Sequence, residues 1–227
     1  MLEAFIKAFT EIQDKLVKAL SETAFMTLTS LALAIILGIG LGLILYITNE
    51  PLLSKNTPVY QTVGFISNMI SSIPFLILMI FFLPLSAVIV GTKIGSKAVI
   101  VPLTIAAAAF FGRLAEASFS EVDKGVLEAV LSSGAKKSHV IWKIVLPEAR
   151  ISLIKNITVT AITVLGFSAM AGLVGGGGIG DLAYRYGYQR YQKEVMIICI
   201  VILIIMVQLI QTAGDIVVRV LNKRRRG

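Results

Sequence analysis

Five apolar runs, each close to the length needed to cross a membrane, constrain this chain more than any other feature. A helix that crosses the hydrocarbon core of a bilayer needs about 20 mostly apolar residues. The third run is the shortest and contains Pro102, which a membrane helix tolerates when its neighbours cover the freed carbonyl. The pattern predicts an all-α, polytopic membrane protein with about five transmembrane helices. The runs lie at 23–47, 60–83, 95–112, 152–174 and 195–220.

Composition supports a membrane protein and argues against soluble enzymes and soluble binding modules. Of the 227 residues, 56% are hydrophobic and 15% are charged, whereas soluble domains carry about 25% charge. The net charge of +8 could indicate nucleic-acid binding. Most of the basic residues, however, flank apolar runs, at 113–155 and in the terminal run 223–226. That placement is typical of membrane topology, so no nucleic-acid partner is expected.

The chain offers few residues for metal or redox chemistry. It has one cysteine, Cys199, inside an apolar run, and one histidine, His139. Neither a disulfide nor a Cys/His metal site can be built from them, so we expect no catalytic residue, metal or cofactor in this chain.

The distribution of positive charge predicts the topology and the domain boundaries. Five spans place the termini on opposite sides of the membrane. Thirteen of the 21 Lys and Arg residues lie on the side that holds the C-terminus, which is therefore predicted to be cytoplasmic, with the N-terminus outside. We expect an amphipathic N-terminal helix at 1–22, with its apolar residues at helical spacing. A transmembrane domain at 23–221 and a basic cytoplasmic tail at 222–227 follow.

The predicted cytoplasmic loop between the third and fourth runs, at 113–151, is too regular to be a simple connector. Ser120 and Asp123 have the spacing of a capping box at the start of a helix. Gly134 interrupts the helical pattern, Ser138 is placed to cap a second short helix, and Pro147 is expected to end it. The loop therefore predicts a helix–turn–helix that is presented to a soluble partner.

This loop resembles the cytoplasmic signature of binding-protein-dependent ABC importer permeases, E-A-A-x3-G-x9-I-x-L-P. The only departure is Val130 at the third position. The resemblance implies a type I ABC importer permease-like fold, in which the loop is a coupling helix docked on a separate ATPase that binds ATP and Mg. The coupling residues it implies are Glu128, Ala129, Gly134, Ala135, His139, Leu146 and Pro147. The matching run is Glu128-Ala129-Val130, Gly134 and Ile144-Val145-Leu146-Pro147.

From about residue 23 onward the chain is similar to methionine-importer permeases. The similarity includes Ser72-Ile73-Pro74-Phe75, Gly166-Phe167-Ser168-Ala169-Met170 and the run from Gly175 to Tyr188. Ala109 and Ser71 depart from residues common in that subfamily. The resemblance implies a permease subunit, without enzymatic activity, in the bacterial plasma membrane. Its cargo would be a small amino acid, methionine of D or L form.

Other functions remain open on the residues alone. A permease for glycine betaine or another amino acid would keep the same coupling segment. An intramembrane enzyme would need catalytic polar residues meeting at membrane depth, and no such pair is evident. A self-powered secondary transporter would need buried ion-binding charges and inverted repeats, which are not visible either.

Five spans are few for a self-contained pathway, so a homodimer is expected, because two-fold dimers are the commonest assembly. The expected partners are a second copy, two ATP-binding subunits, an extracytoplasmic amino-acid-binding protein and membrane lipid. The pathway candidates are Ser71, Ser72, Pro74, Ser168 and Met170.

Two glycine patterns carry further expectations. Gly38 and Gly42 have the G-x-x-x-G spacing of closely packed membrane helices. Gly175, Gly177 and Gly180 match a dinucleotide-binding pattern, but no strand precedes them, so we interpret this run as a flexible external turn that could belong to a gate.

Overall fold

A computed structural model describes the backbone of residues 2–226 and the side chains of residue 6 and residues 9–223. The expected amphipathic residues Leu2, Phe5 and Lys7 and the tail side chains at 224–227 lie outside the described side chains. Within the described chain the secondary structure is helical. Nine α-helices make up most of it, and their bounds are α1 Leu2–Asn49, α2 Thr57–Ser72, α3 Phe75–Val90, α4 Ser96–Ser120, α5 Lys124–Ser132, α6 Lys137–Val140, α7 Leu146–Ala171, α8 Gly178–Leu182 and α9 Lys193–Arg226.

The all-α membrane fold agrees with the prediction. Four of the helices, or continuous helical stretches, are long and apolar enough to cross a membrane, and α2 with α3 forms a fifth candidate as a broken span.

Helix α1 is one continuous helix of 48 residues, so the N-terminal segment 1–22 is not a separate element. At 1.5 Å per residue it is about 70 Å long. No glycine or proline interrupts residues 2–37, so nothing in the sequence ends the helix at residue 22. The apolar residues Ile12, Leu16 and Ala19 are buried in a cluster with α8 and α9. This part of the amphipathic face is therefore covered by the same chain.

The close approach of α1 to α4 confirms the packing predicted from Gly38 and Gly42. A Cβ on Gly38 would lie 2.6 Å from Phe111 Cδ1, and one on Gly42 would lie 2.7 Å from Ala115 Cβ. The glycines allow the two backbones to approach at a distance that larger residues would prevent.

The run expected as a single span at 60–83 is instead two helices, α2 and α3, which meet at an angle of 108°. The break lies at Ile73 and Pro74, whose backbones are extended with ψ of 127° and 130°. Proline lacks an N–H and disfavours the helical conformation of the residue before it. Hydropathy alone could not locate this break, because both halves are apolar.

The helix that includes Pro147 does not end there, contrary to expectation. Helix α6 continues through a π-helical turn, Ile141–Val145, directly into α7. The N–H of Leu146 donates to the carbonyl of Ile141, five residues earlier, and Pro147 occupies the first turn of α7. Proline is tolerated in a first turn, and the widened turn joins the loop rigidly to the fourth span.

Candidate functional site

The predicted cytoplasmic loop at 113–151 is called the coupling segment below, after the role that the resemblance implies. Its first separate helix, α5, is capped by Asp123. Its Oδ1 accepts hydrogen bonds from the N–H groups of Gly125 at 2.6 Å and Val126 at 3.4 Å. Ser120 is the last residue of α4, and its hydroxyl donates to the Glu116 carbonyl at 2.9 Å. The expected capping role of Ser120 was therefore wrong, and Asp123 alone performs it.

Gly134 makes the turn between α5 and α6 in a left-handed conformation, with φ of 86°. Its N–H donates to the Leu131 carbonyl at 3.0 Å, and the N–H of Ala135 donates to the Val130 carbonyl at 3.4 Å. Together these bonds form a Schellman motif, in which glycine is favoured because a Cβ is strained at positive φ. Val130 and Ala135 also pack on the same apolar cluster, as the motif requires.

Helix α6 begins after Lys136, whose side chain makes no capping hydrogen bond. Ser138 lies inside the helix, so its expected role as the cap was wrong as well.

One face of the coupling segment is anchored in the protein and the other is open. Leu127, Val140 and Val145 are fully buried in a cluster with residues of α1 and α4. Of the seven residues implied by the resemblance, Ala135 and Leu146 are half-buried against that cluster. The remaining five are exposed: Glu128, Ala129, Gly134, His139 and Pro147.

The open face has the composition of a docking surface. The side chain of Trp142 is 66% exposed and that of Val126 is 47% exposed, although both are apolar. A depression of about 510 Å³ is formed by Ala135, Lys136, Ser138, His139, Trp142 and Lys143. An exposed tryptophan is typical of protein interfaces.

The loop after α1 fastens the coupling segment, which the sequence did not indicate. Lys124 Nζ lies 3.8 Å from Glu50 Oε2, whose side chain is only 10% exposed. Lys137 Nζ donates to the carbonyl of Leu53, and Leu53 is buried in the same cluster as α5. Both short helices of the segment are thus tied to the end of α1.

Three of the pathway candidates gather at the break between α2 and α3. Ser71, Ser72 and Pro74 are exposed there, and the Ser72 hydroxyl donates to the Asn68 carbonyl at 2.7 Å. Directly after the break, Phe75 stacks on Phe167 of α7 with ring centres 4.3 Å apart.

The other two candidates lie on α7 and differ from each other. Met170 is 47% exposed, whereas Ser168 is 1% exposed. The Ser168 hydroxyl donates to the Leu165 carbonyl of its own helix at 2.7 Å. Met170 therefore fits an open pathway face in this conformation and Ser168 does not.

The glycine-rich run after α7 is a packed structure and not a flexible turn, contrary to our interpretation of the sequence. The carboxylate of Glu22 accepts from the N–H of Gly178, and the hydroxyl of Thr23 accepts from that of Ile179, both at 2.9 Å. Gly178, Ile179 and Gly180 are buried. Side chains of α1 thus satisfy the N-terminal donors of α8.

Next to this run lies a charged cavity of about 430 Å³ between α1, α8 and the turn that follows α8. Lys15 Nζ and Arg190 Cζ lie 4.6 Å and 4.4 Å from the ring centre of Tyr186. A hydrogen bond from Lys15 is the main cause that lowers the pKa of Tyr186, and the nearby positive charges add to it.

Two polar residues of α2 that our sequence analysis missed could have been found in the sequence. Gln61 and Asn68 are polar residues inside an apolar run, and this is a recognisable signal of function in a membrane helix. Glu50, by contrast, follows a span in a short loop, and nothing in its spacing connects it with Lys124. Only the folded chain brings these two residues together.

The chain is similar to known membrane components of transport systems. Residues 34–227 match the family described as binding-protein-dependent transport system inner membrane component. The chain is 44% identical over 211 residues to the probable D-methionine transport system permease protein MetI of Vibrio cholerae, covering 93% of this chain and 94% of that one. It is 42% identical over 181 residues to the methionine import system permease protein MetP of Bacillus subtilis, covering 80% and 82%.

Solved structures show the same similarity. A chain of the inward-facing MetNI methionine ABC transporter superimposes with a TM-score of 0.90 at 42% identity, covering 93% of this chain and 98% of that one. A chain of an amino acid ABC transporter crystallised with histidines superimposes with a TM-score of 0.77 at 18% identity, covering 93% and 96%, which supports the fold alone.

Proposed function

The chain belongs to the family of inner membrane components of binding-protein-dependent transport systems, and we propose that it is the permease subunit of an ATP-driven importer of methionine. The observation that carries the proposal is the coupling segment, which matches the family signature and exposes five of the seven residues that the signature implies, on a buried apolar base. Relatives named as methionine permeases, 42–44% identical over most of the chain, support methionine as the cargo.

The coupling segment is the site at which an ATP-binding subunit would act on this chain. Glu128 and Ala129 project from α5, and Trp142 and His139 border the adjacent depression. Force applied there reaches α7 without a flexible joint, because α6, the π-helical turn and α7 are continuous. It also reaches α1 through the contacts of Lys124 and Lys137. ATP and Mg would be bound by the partner subunit.

Two copies of the chain would form the pathway between them, with two ATP-binding subunits below and an extracytoplasmic binding protein above. The broken α2–α3 span supports this arrangement, because its exposed face combines serines with large apolar side chains such as Phe81, which is 72% exposed. The distribution of positive charge supports a cytoplasmic C-terminus and an outer N-terminus. Closure of the ATPases would then move the two coupling segments together and turn the pathway outward, as an alternating two-state change.

Uptake of labelled methionine tests the proposal. The chain is expressed with its ATPase and binding protein in cells that lack their own methionine importer, with and without ATP depletion. We expect uptake that requires ATP and that excess methionine, but not excess glycine betaine, abolishes. A correctly assembled complex that imports no methionine would refute the proposed cargo, and uptake that persists without ATP would refute the importer mechanism.

A Glu128→Arg variant tests the coupling role separately. We expect Glu128 to meet basic groups or backbone donors of the partner, so reversing its charge should weaken docking and lower uptake by roughly tenfold or more. Insertion in the membrane should be normal, because the Glu128 side chain is exposed and lies outside the buried apolar cluster. Glu121→Arg, at an exposed position outside α5, is the matched control. Full uptake by the Glu128→Arg variant would contradict the coupling role.

A further inference from the structure

A polar stripe runs along the exposed face of α2, inside the broken span. Gln61, Asn68 and Ser72 are spaced at i, i+7 and i+11, which places them on one side of a helix, and all three are exposed. Uncharged polar side chains are costly against lipid and are usually turned towards protein or a water-filled cavity. The stripe therefore marks a side of α2 that faces protein or water and not the bilayer.

Arg113 of α4 lies next to this stripe. Its Nη1 donates to Glu116 Oε2 at 2.7 Å, and the Glu116 side chain is only 11% exposed. A Cβ on Gly64 would lie 3.8 Å from Nη1, which is ordinary van der Waals contact, so the guanidinium lies against α2 at Gly64. A guanidinium has five N–H donors, and the bond to Glu116 uses one of them, so donors are available to a ligand.

Gln61 and Asn68 of the stripe and Arg113 line one small cavity. Its volume is about 240 Å³, and its walls are Tyr60, Gln61, Gly64, Phe65, Asn68 and Arg113. It combines a fixed cation, two amides and a phenol with the ring of Phe65, which is 64% exposed. This combination suits a small zwitterion with an apolar side chain. The guanidinium would take the carboxylate, the amide oxygens would take the ammonium, and the ring would lie against the side chain.

We propose that this cavity is a transient binding site for the carboxylate of the amino-acid cargo on its way through the permease. The inference rests on the proposed function. The pairing with Glu116 is part of the site, because it fixes the guanidinium and reduces the local positive charge. A pathway requires sites that bind its cargo weakly enough to release it. An unpaired arginine would hold a carboxylate more tightly than transport allows.

The test uses charged thiol reagents as probes of the site. Cys199 is buried and is the only cysteine, so Cys199→Ser gives a background free of thiols. Asn68→Cys is added to it in the assembled complex, and its reaction rates with an anionic and a cationic methanethiosulfonate are compared. We expect the anionic reagent to react several-fold faster, because Arg113 attracts it. Methionine should slow both reactions.

Arg113→Gln is the decisive variant. We expect it to remove the preference for the anionic reagent and to lower methionine uptake by roughly tenfold, since a charge-assisted hydrogen bond is lost. Arg113→Lys should keep part of the preference for the anionic reagent and part of the methionine uptake. ATP hydrolysis should persist in all variants. Lys97→Gln, an exposed basic residue on the same helix, is the matched control and should change neither readout.

The outcomes separate this proposal from the proposed function. Wild-type uptake in Arg113→Gln, or an unchanged ratio of reagent rates, would overturn the carboxylate site. If the unmodified complex imports no methionine but the reagent ratio still depends on Arg113, the proposed cargo is wrong and the anion site stands.

Discussion

Gly134, in the coupling segment, and Gly180, in the glycine-rich run at the other end of the molecule, are glycine for different reasons. In the coupling segment, Gly134 adopts a φ of 86°, and a Cβ built on it would meet no atom within 4 Å. In the glycine-rich run at the other end, Gly180 is buried, and a Cβ would collide with the Ala169 carbonyl. The first glycine is required by its backbone conformation and the second by lack of space.

This difference suggests how each end works. The glycine-rich end joins α7, α8 and α1 so closely that a single methyl group cannot be added at Gly176, where a Cβ would lie 2.7 Å from the Ala171 carbonyl. The coupling end exposes its turn to solvent and is held by side chains instead. Substitutions should therefore disrupt folding at the glycine-rich end and transport at the coupling end.

Gly180→Ala should have the largest effect. Backbone atoms of α7 occupy the position of the new methyl group, and backbone atoms cannot rotate away as a side chain can. Overpacking of this kind costs about 3 kcal/mol or more. We expect loss of folded protein, measured as the monodisperse fraction after extraction in mild detergent.

Gly166→Ala is the matched control for Gly180→Ala. Gly166 lies in α7, and a methyl group added there would have no neighbouring atom within 4 Å, so the substitution should be tolerated. Equal yields of the Gly180→Ala and Gly166→Ala proteins would contradict the proposed role of close packing.

Gly134→Pro should have the next largest effect, and on transport more than on folding. Proline cannot adopt a positive φ and has no N–H for the Leu131 carbonyl, so the Schellman motif is lost. We expect the spans to insert normally while ATP-dependent methionine uptake falls by at least tenfold. A loss of roughly 1.4 kcal/mol in the free energy of docking on the ATPase corresponds to a tenfold change.

Gly134→Asn is the conservative counterpart, because asparagine tolerates the left-handed conformation better than other residues with a side chain. It should keep most of the uptake. If Gly134→Pro transports as well as Gly134→Asn, the geometry of this turn has no part in coupling.

The contrast between the two ends also shows which features can be predicted from the sequence and which cannot. Four of the five spans follow from hydropathy, which depends on composition alone, and the coupling residues stay a prediction from a signature with fixed spacing. Gly38 and Gly42 were assigned correctly to a packed helix face because their spacing is local. Each of these features is contained in one continuous stretch of chain.

Features that depend on contacts between distant stretches could not be predicted. The glycine-rich run looked flexible because glycine permits flexibility, but Glu22 and Thr23, 156 residues earlier in the chain, fix its backbone. Ser168 looked available for a pathway, but the packing of α7 buries it. Pro74 was expected only as a pathway residue inside a single span, and the angle of the break there depends on how α3 packs on α4 and α7.

Glu50→Gln should have a moderate effect and would test whether side chains hold the coupling end. The substitution removes the charge that Lys124 contacts at 3.8 Å, and the lysine is 69% exposed, so the loss of stability should be below about 1 kcal/mol. We expect more ATP hydrolysed per methionine imported, because α5 is less firmly tied to α1. Lys55→Gln, in the same loop, is the control. An unchanged ratio would show that the contact between Lys124 and Glu50 is not needed to hold the segment.

Lys15→Gln should have the smallest effect and would test whether the charged cavity next to the glycine-rich run is as well ordered as that run. Lys15 lowers the pKa of Tyr186 mainly through a hydrogen bond, which favours the phenolate. Removing the lysine should therefore raise that pKa, so that more alkaline solution is needed to ionise the ring. Ultraviolet difference titration, with Tyr186→Phe as the blank, measures the shift.

The matched control is Lys18→Gln. Lys18 lies in the same cavity but not against the ring, so its substitution should leave the pKa of Tyr186 almost unchanged. Equal shifts from both lysine variants would show that the cavity acts only through its total charge and that the contact between Lys15 and Tyr186 is not maintained.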